Sequence, residues 1–280
     1  MMVKVSADST CDLSYEILNR FNIAIVPLYI IKDGESYKDG LQMKSSDIFE
    51  YVDKHGKLLK TAAASVTDYI EFFKKQTEDG SSVVHVTISS EMSCSFQNAA
   101  VAAKEFENVH VIDSRNLSTG MGHIVYEGAL MAEKGMSATE IEAALNELTS
   151  KVEASFVVDR LDYLYKGGRC SAVAALGANM LSLKPCIEVK DGKMGVAKKY
   201  RGSFDKALRA YVKDRLEGRD DIVWDRCFIT HPACKHETVE LVRQCVNEFG
   251  HFDEVIETRA GCTISNHCGP YTLGILFIRK

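Results

Sequence analysis

Apolar and polar positions alternate along this chain in two periods. Val83-Val84-His85-Val86-Thr87-Ile88 is a β-branched run of strand length and reads as a buried strand. A hydroxyl-rich stretch, Ser89-Ser90-Glu91-Met92-Ser93-Cys94-Ser95, follows as a turn, and an Ala-rich run then predicts a helix reaching Phe106. The same order recurs at residues 3–20, where Asp12 or Ser14 is placed to cap a helix through Leu18, and at 109–134, where Asp113-Ser114 ends the strand. Three strand-turn-helix units imply a parallel sheet covered by helices.

Between these units, residues 23–31 predict a further strand, and Pro27 inside it argues for an edge or a bulge, because proline donates nothing to a ladder. Asp33-Gly34 and Asp39-Gly40 mark turns, Ser45-Ser46-Asp47 starts a helix, residues 59–65 read as a polar loop, and 67–76 as a helix. Ser137 and Glu140 form a capping box for a helix to about residue 150. The pattern then changes. Residues 156–158 predict a strand, 161–165 a helical turn, 166–169 a basic glycine loop and 171–181 a helix. Strands 185–189 and 194–199 join through Asp191-Gly192, a hairpin turn. Ser203 caps a helix to 216, and a strand (227–230), a helix (235–248) and strands at 255–256 and 273–278 complete the pattern. The expected architecture is α/β in two domains. Residues 1–150 form an N-terminal parallel-sheet α/β sandwich carrying the binding loops, and 151–280 a mixed, partly antiparallel α/β domain.

With 280 residues, 46% of them hydrophobic, the chain can bury the cores of two domains. A formal charge of -5 without any basic block gives nucleic acid no footprint, so no nucleic-acid partner is expected. Transient membrane contact is left open. Nine cysteines scattered over the whole length read as reduced thiols, and no signal-like or membrane-spanning apolar run occurs, so a soluble cytoplasmic protein is expected. Neither a phosphate-wrapping Gly-x-x-x-x-Gly-Lys-Ser/Thr loop nor a Gly-x-Ser-x-Gly elbow is present. Cys227, His231, Cys234 and His236, like Cys262, His267 and Cys268, match no compact zinc spacing. No metal and no cofactor are expected.

The candidate chemistry gathers where ligands sit in parallel sheets, beyond the carboxyl ends of strands. Ser89, Ser90, Ser93 and Ser95 supply hydroxyl donors there without net charge, which suits a carboxylate or phosphate oxygen; the same serines are good helix and turn caps. Lys166-Gly167-Gly168-Arg169 can hold an anion or simply turn in solvent. His267, in Ser265-Asn266-His267-Cys268-Gly269-Pro270, reads as part of a polar turn. It can donate to a carboxylate, with Arg169 or Arg201 as countercharge.

Seven stretches, in order, together resemble the DegV family, the fatty-acid-binding proteins that serve bacterial fatty acid kinase. They are Asp8-Ser9-Thr10-Cys11-Asp12-Leu13; Ile88-Ser89-Ser90 with Ser93 and Gln97-Asn98-Ala99; Val111-Ile112-Asp113-Ser114; Lys166-Gly167-Gly168-Arg169; Leu183-Lys184-Pro185; Arg201-Gly202; and His267 with Gly269-Pro270. The resemblance covers nearly the whole chain. It implies a non-enzymatic lipid-binding subunit holding a long-chain fatty acid in a tunnel between two domains and presenting its carboxylate to a separate ATP-dependent kinase, which makes the acyl phosphate for phospholipid metabolism. It places the carboxylate-binding threonine and serine on Thr61 and Ser93, with Cys94 and Ser95 beside them, and the supporting polar groups on Arg201, His267 and Arg169. The chain departs from the family pattern at Ala62-Ala63-Ala64, at Cys94-Ser95 where Gly-Thr is usual, and at Tyr271 where Gly is usual, changes that bear on head-group geometry and acyl preference. Two other readings of the residues are an acyl-ester hydrolase with Ser93 as nucleophile and a kinase-independent carrier of another hydrophobic acid.

Overall fold

The computed structural model describes residues 2–170 and 183–280, so the helix expected at 171–181 lies outside the described residues. Four strands build a wholly parallel sheet: β1 (Val3–Asp8), β2 (Ala24–Val26), β6 (Ser82–Thr87) and β7 (Val109–Asp113), in the order β2-β1-β6-β7. Helices α1 (Tyr15–Arg20), α3 (Val66–Thr77), α4 (Ser95–Ala103), α5 (Ser118–Glu133) and α6 (Ala138–Leu148) belong to this half. Ser14 caps α1 by accepting from the Ile17 amide, and Ser137 and Glu140 form the expected reciprocal box at the start of α6.

Three expectations fail here. Residues 23–31 are two strands. Pro27 ends the ladder of β2 at the sheet edge, and β3 (Tyr29–Lys32) leaves for a separate antiparallel sheet with β4 (Glu35–Lys38) and β5 (Lys60–Ala62). The polar loop at 59–65 therefore contains a strand, pairing Thr61 with Ile30. Helix α4 stops at Ala103 rather than near Phe106. Between β4 and β5 lies α2 (Ser45–His55), where Asp47 returns its carboxylate to the Lys44 amide.

The expected division near residue 150 falls between α6 and β8 (Val152–Val158), a strand four residues longer at its start than its apolar core suggests. After α7 (Asp162–Gly167), the hairpin β9 (Leu183–Lys190) and β10 (Lys193–Arg201) turns at Asp191-Gly192 as expected. Then follow α8 (Phe204–Leu216), β11 (Ile222–His231), α9 (His236–Phe249), β12 (Glu254–Arg259), α10 (Cys262–Cys268) and β13 (Thr272–Arg279). The mixed six-stranded sheet has the order β10-β9-β8-β13-β11-β12, with only β11 and β12 parallel. β11 extends well beyond the apolar run at 227–230. No helix of the described residues is long and apolar enough to cross a membrane.

Helix α5 lies between the two large sheets, packing on β1 and β6 on one side and on β8, β11 and β13 on the other. Its first eight residues are all buried, and a single apolar cluster runs from Val5 and Val84 through Met121 and Val125 to Phe156 and Leu276. Close approach demands glycine here. A Cβ at Gly120 would lie 2.1 Å from Asn116 Oδ1, and one at Gly122 would lie 2.7 Å from the Cys11 carbonyl oxygen. Gly122→Ala should thus cost about 1–3 kcal/mol and lower the Tm by roughly 2–6 °C. Gly128→Ala, whose Cβ would press on the Leu145 side chain at 3.0 Å and meet Val5 and Ile141 at ordinary contact distance, should cost less; equal shifts in a thermal melt would refute the close-approach argument.

Candidate functional site

The carboxyl end of β6 is held from below by a buried carboxylate. Asp8, at the end of β1, accepts from the Ile88 amide (3.1 Å) and from the Tyr69 hydroxyl (2.7 Å), and lies 3.3 Å from His85 Nε2, whose other nitrogen meets Ser6. The turn above it divides its serines among tasks. Ser89 donates to the Gly192 carbonyl (2.8 Å), tying down the tip of the β9–β10 hairpin, and Ser90 accepts from Arg115 (3.3 Å). Ser95 is fully buried, 3.0 Å from Ser93 Oγ. Ser93 Oγ accepts from the Ser95 amide (3.2 Å) in the turn leading into α4 and still lines open space.

That space is a cavity of about 300 Å³ between the two halves of the chain. Leu28, Thr61, Ala62, Ala63, Ile88, Met92, Ser93, Cys94 and Leu117 line it from one side; Arg169, Met194, Thr263, Ile264, His267 and Cys268 line it from the other. A narrower cavity of about 30 Å³ shares Leu117, Ile264 and Cys268 with it and continues toward Phe156 and Leu276, between the start of α5 and the six-stranded sheet. The composition is apolar with a few polar groups, the usual make-up of a site for a small amphiphilic molecule.

His267 does not sit in a turn. It occupies the last turn of α10, and residues 263, 264, 267 and 268 face the cavity because they share one helix face. Its Nε2 and Thr61 Oγ1 are hydrogen-bonded at 2.9 Å, the tautomer deciding which donates. The ring lies against the last residue of α7: a Cβ at Gly167 would come within 2.5 Å of Nδ1. Burial, followed by the neighbouring Arg169 guanidinium, pushes the imidazole pKa down to about 4, with the Gly167 carbonyl opposing them. His267 is therefore neutral near pH 7. Arg169 is exposed and donates to the Gly167 carbonyl (3.0 Å), so the positive charge at the cavity is its guanidinium rather than the histidine.

The family model for uncharacterised proteins of the DegV family matches residues 2–280. A DegV domain-containing protein of Clostridium perfringens is 31% identical over 290 residues, with 99% of each chain covered. The chain belongs to the DegV family. Among solved structures, the DegV family protein from Thermus thermophilus, described by its fatty acid binding, superposes with a TM-score of 0.89 at 28% identity over 100% of both chains. A stearic acid-binding protein from Eubacterium ventriosum gives 0.85 at 28% identity, covering 100% of this chain and 99% of its own.

In this DegV protein, Thr61, Ser93, Cys94, Arg169 and His267 meet around one cavity. Ser95 lies behind Ser93, and Arg201 is exposed at the end of β10, outside the cavity lining. Sequence reasoning missed Thr263 and Ile264, which the i, i+4 spacing to His267 and Cys268 would have flagged had α10 been recognised as a helix. It also missed Met92 and Met194, whose flexible thioethers suit an adaptable apolar wall.

Two outcomes follow from this geometry. An unfolded histidine binds a proton near pH 6.5, but His267 in the fold only near 4, so between these values the unfolded state holds more protons and stability rises with pH. Urea unfolding of wild type and His267→Asn from pH 4 to 6.5 should show the shallower pH slope in the variant, while every other titrating group is common to both; parallel slopes would contradict a buried neutral His267. Of the nine cysteines, Cys94 alone is exposed. One equivalent of maleimide should therefore react fast, at Cys94 by peptide mapping, and Cys94→Ser should abolish that phase.

Proposed function

We propose that this protein binds a long-chain fatty acid in the cavity between its two halves, as a cytoplasmic lipid-binding subunit, and presents the carboxylate to a separate ATP-dependent kinase that forms the acyl phosphate. The carrying observation is the cavity itself: an apolar chamber in which Thr61, held by a neutral His267, and Ser93 supply hydroxyls and Arg169 supplies countercharge. Fatty acid binding by the Thermus and Eubacterium proteins supports the choice of ligand. The kinase step draws on the loop motifs shared with the family, and the chain has no phosphate-wrapping glycine loop of its own.

Magnitudes assign the work. Burying about sixteen carbons at roughly 0.8 kcal/mol per methylene is on the order of 12 kcal/mol gross, whereas each hydrogen bond to a charged head adds about 1.5–3 kcal/mol. The tail supplies affinity; the hydroxyls and imidazole fix where the reacting oxygen lies. Arg169 keeps the head ionised. A hydrolytic role for Ser93 is less well supported: its oxygen bonds Ser95, and the cavity's imidazole bonds Thr61 instead.

Native mass spectrometry of the purified protein, followed by organic extraction, should find a stoichiometric long-chain acid or show its uptake when added; an empty protein that takes up none would sink the reading. With the kinase and ATP, Ser93→Ala should slow acyl-phosphate formation about tenfold or more, as for loss of one charge-directed hydrogen bond, and unreduced turnover would remove Ser93 from the mechanism.

A further inference from the structure

Helix α10 brings four residues to the cavity, yet it is only seven residues long and its N-cap is Gly261, which has no side chain to cap it. A helix this short is not stable alone, and its first amides need partners. They find them across the molecule. The Cys262 and Thr263 amides donate to the two oxygens of Asp39 at 2.8 and 3.1 Å, and the Gly261 amide donates to Asp12 Oδ1 at 2.8 Å. Asp39 also accepts from Ser9, and Asp12 from Ser118. Both carboxylates are buried, and no lysine or arginine among the described residues pairs with either. Burial pushes the Asp12 carboxyl up to about 8, with the Ser118 and Gly261 hydrogen bonds opposing and Asp39 adding to the rise. Asp39, accepting two successive amides with its two oxygens, is the bidentate cap. The far end of the helix returns to the same half of the chain through the His267–Thr61 bond.

We propose that Asp39 is the positioning residue that sets the His267 imidazole against the ligand head group, by fixing the start and the rotation of α10. This rests on the carboxylate-binding reading above. His267 lies four residues beyond Thr263, one turn from the capped end, so a slip of the cap moves the ring and the shared face together. Asp39→Asn is the direct test. A carboxamide can accept one of the two amides but presents its NH2 to the other, and the helix start must shift.

Two readouts separate a positioning role from a merely structural one. In the ligand-free protein, the His267 ring nitrogens followed by 15N NMR should titrate higher in Asp39→Asn than in wild type, moving from about 4 toward the ordinary 6.5. In palmitate binding, Asp39→Asn should weaken affinity about tenfold, yet weaken His267→Asn less than twofold further, since both changes remove one interaction. An unmoved titration, an unchanged affinity, or losses that multiply would overturn the proposal. If wild type binds no palmitate, the functional reading fails and the titration alone decides the positioning claim. Should Asp39→Asn fail to fold, Gly261→Ala serves, because its Cβ would press at 3.2 and 3.3 Å on Asp12 Oδ1 and Asp39 Oδ1; the same two readouts and outcomes apply.

Discussion

The rest of the structure depends on how closely α5 can lie to both sheets. A helix packed on two sheets at once must present small residues wherever backbone or short side chains reach it, and Gly120 and Gly122 sit where any side chain would collide. The result is an apolar cluster shared by the two halves, alongside a second core confined to the C-terminal half. At the start of α5, Leu117 lines both the cavity and its narrow neighbour.

In the turn above β6, the buried polar groups are hydrogen-bonded. Asp8 has its hydrogen bonds from Ile88 and Tyr69, Ser95 is enclosed beside Ser93, and Ser89 reaches across to the hairpin tip at Gly192. An unpaired buried polar group would cost about 1–3 kcal/mol, so these pairings fix the turn above β6 in one conformation. Ser93 lines the cavity while its oxygen accepts the Ser95 amide in the turn leading into α4.

What could be read from the sequence was what local residues decide. The Ser137–Glu140 box, the Asp191-Gly192 hairpin and the three strand-turn-helix units each carry their cause within a few positions. The chain's departures from expectation have distant causes. β5 exists because it pairs with β3, about thirty residues earlier, and nothing in Lys60-Thr61-Ala62 announces that partner. α10 lacks a Ser, Thr, Asp or Asn at its own start because Asp12 and Asp39 supply the cap from elsewhere, so His267 looks like a turn residue. Thr61, Ser93, Arg169 and His267 could be named as a group only through the family resemblance; their physical convergence depends on contacts hundreds of positions apart.

The bond from Gly261 to Asp12 spans 249 positions, and that from Cys262 to Asp39 spans 223. Contacts of such separation are entropically expensive to close. A chain with only one half folded has neither wall of the cavity facing the other, and hence no chamber to hold anything. Any molecule that fills the chamber can then bind only the completely folded state, so its occupancy is linked to the cooperativity of the whole chain and acts as a check on finished folding.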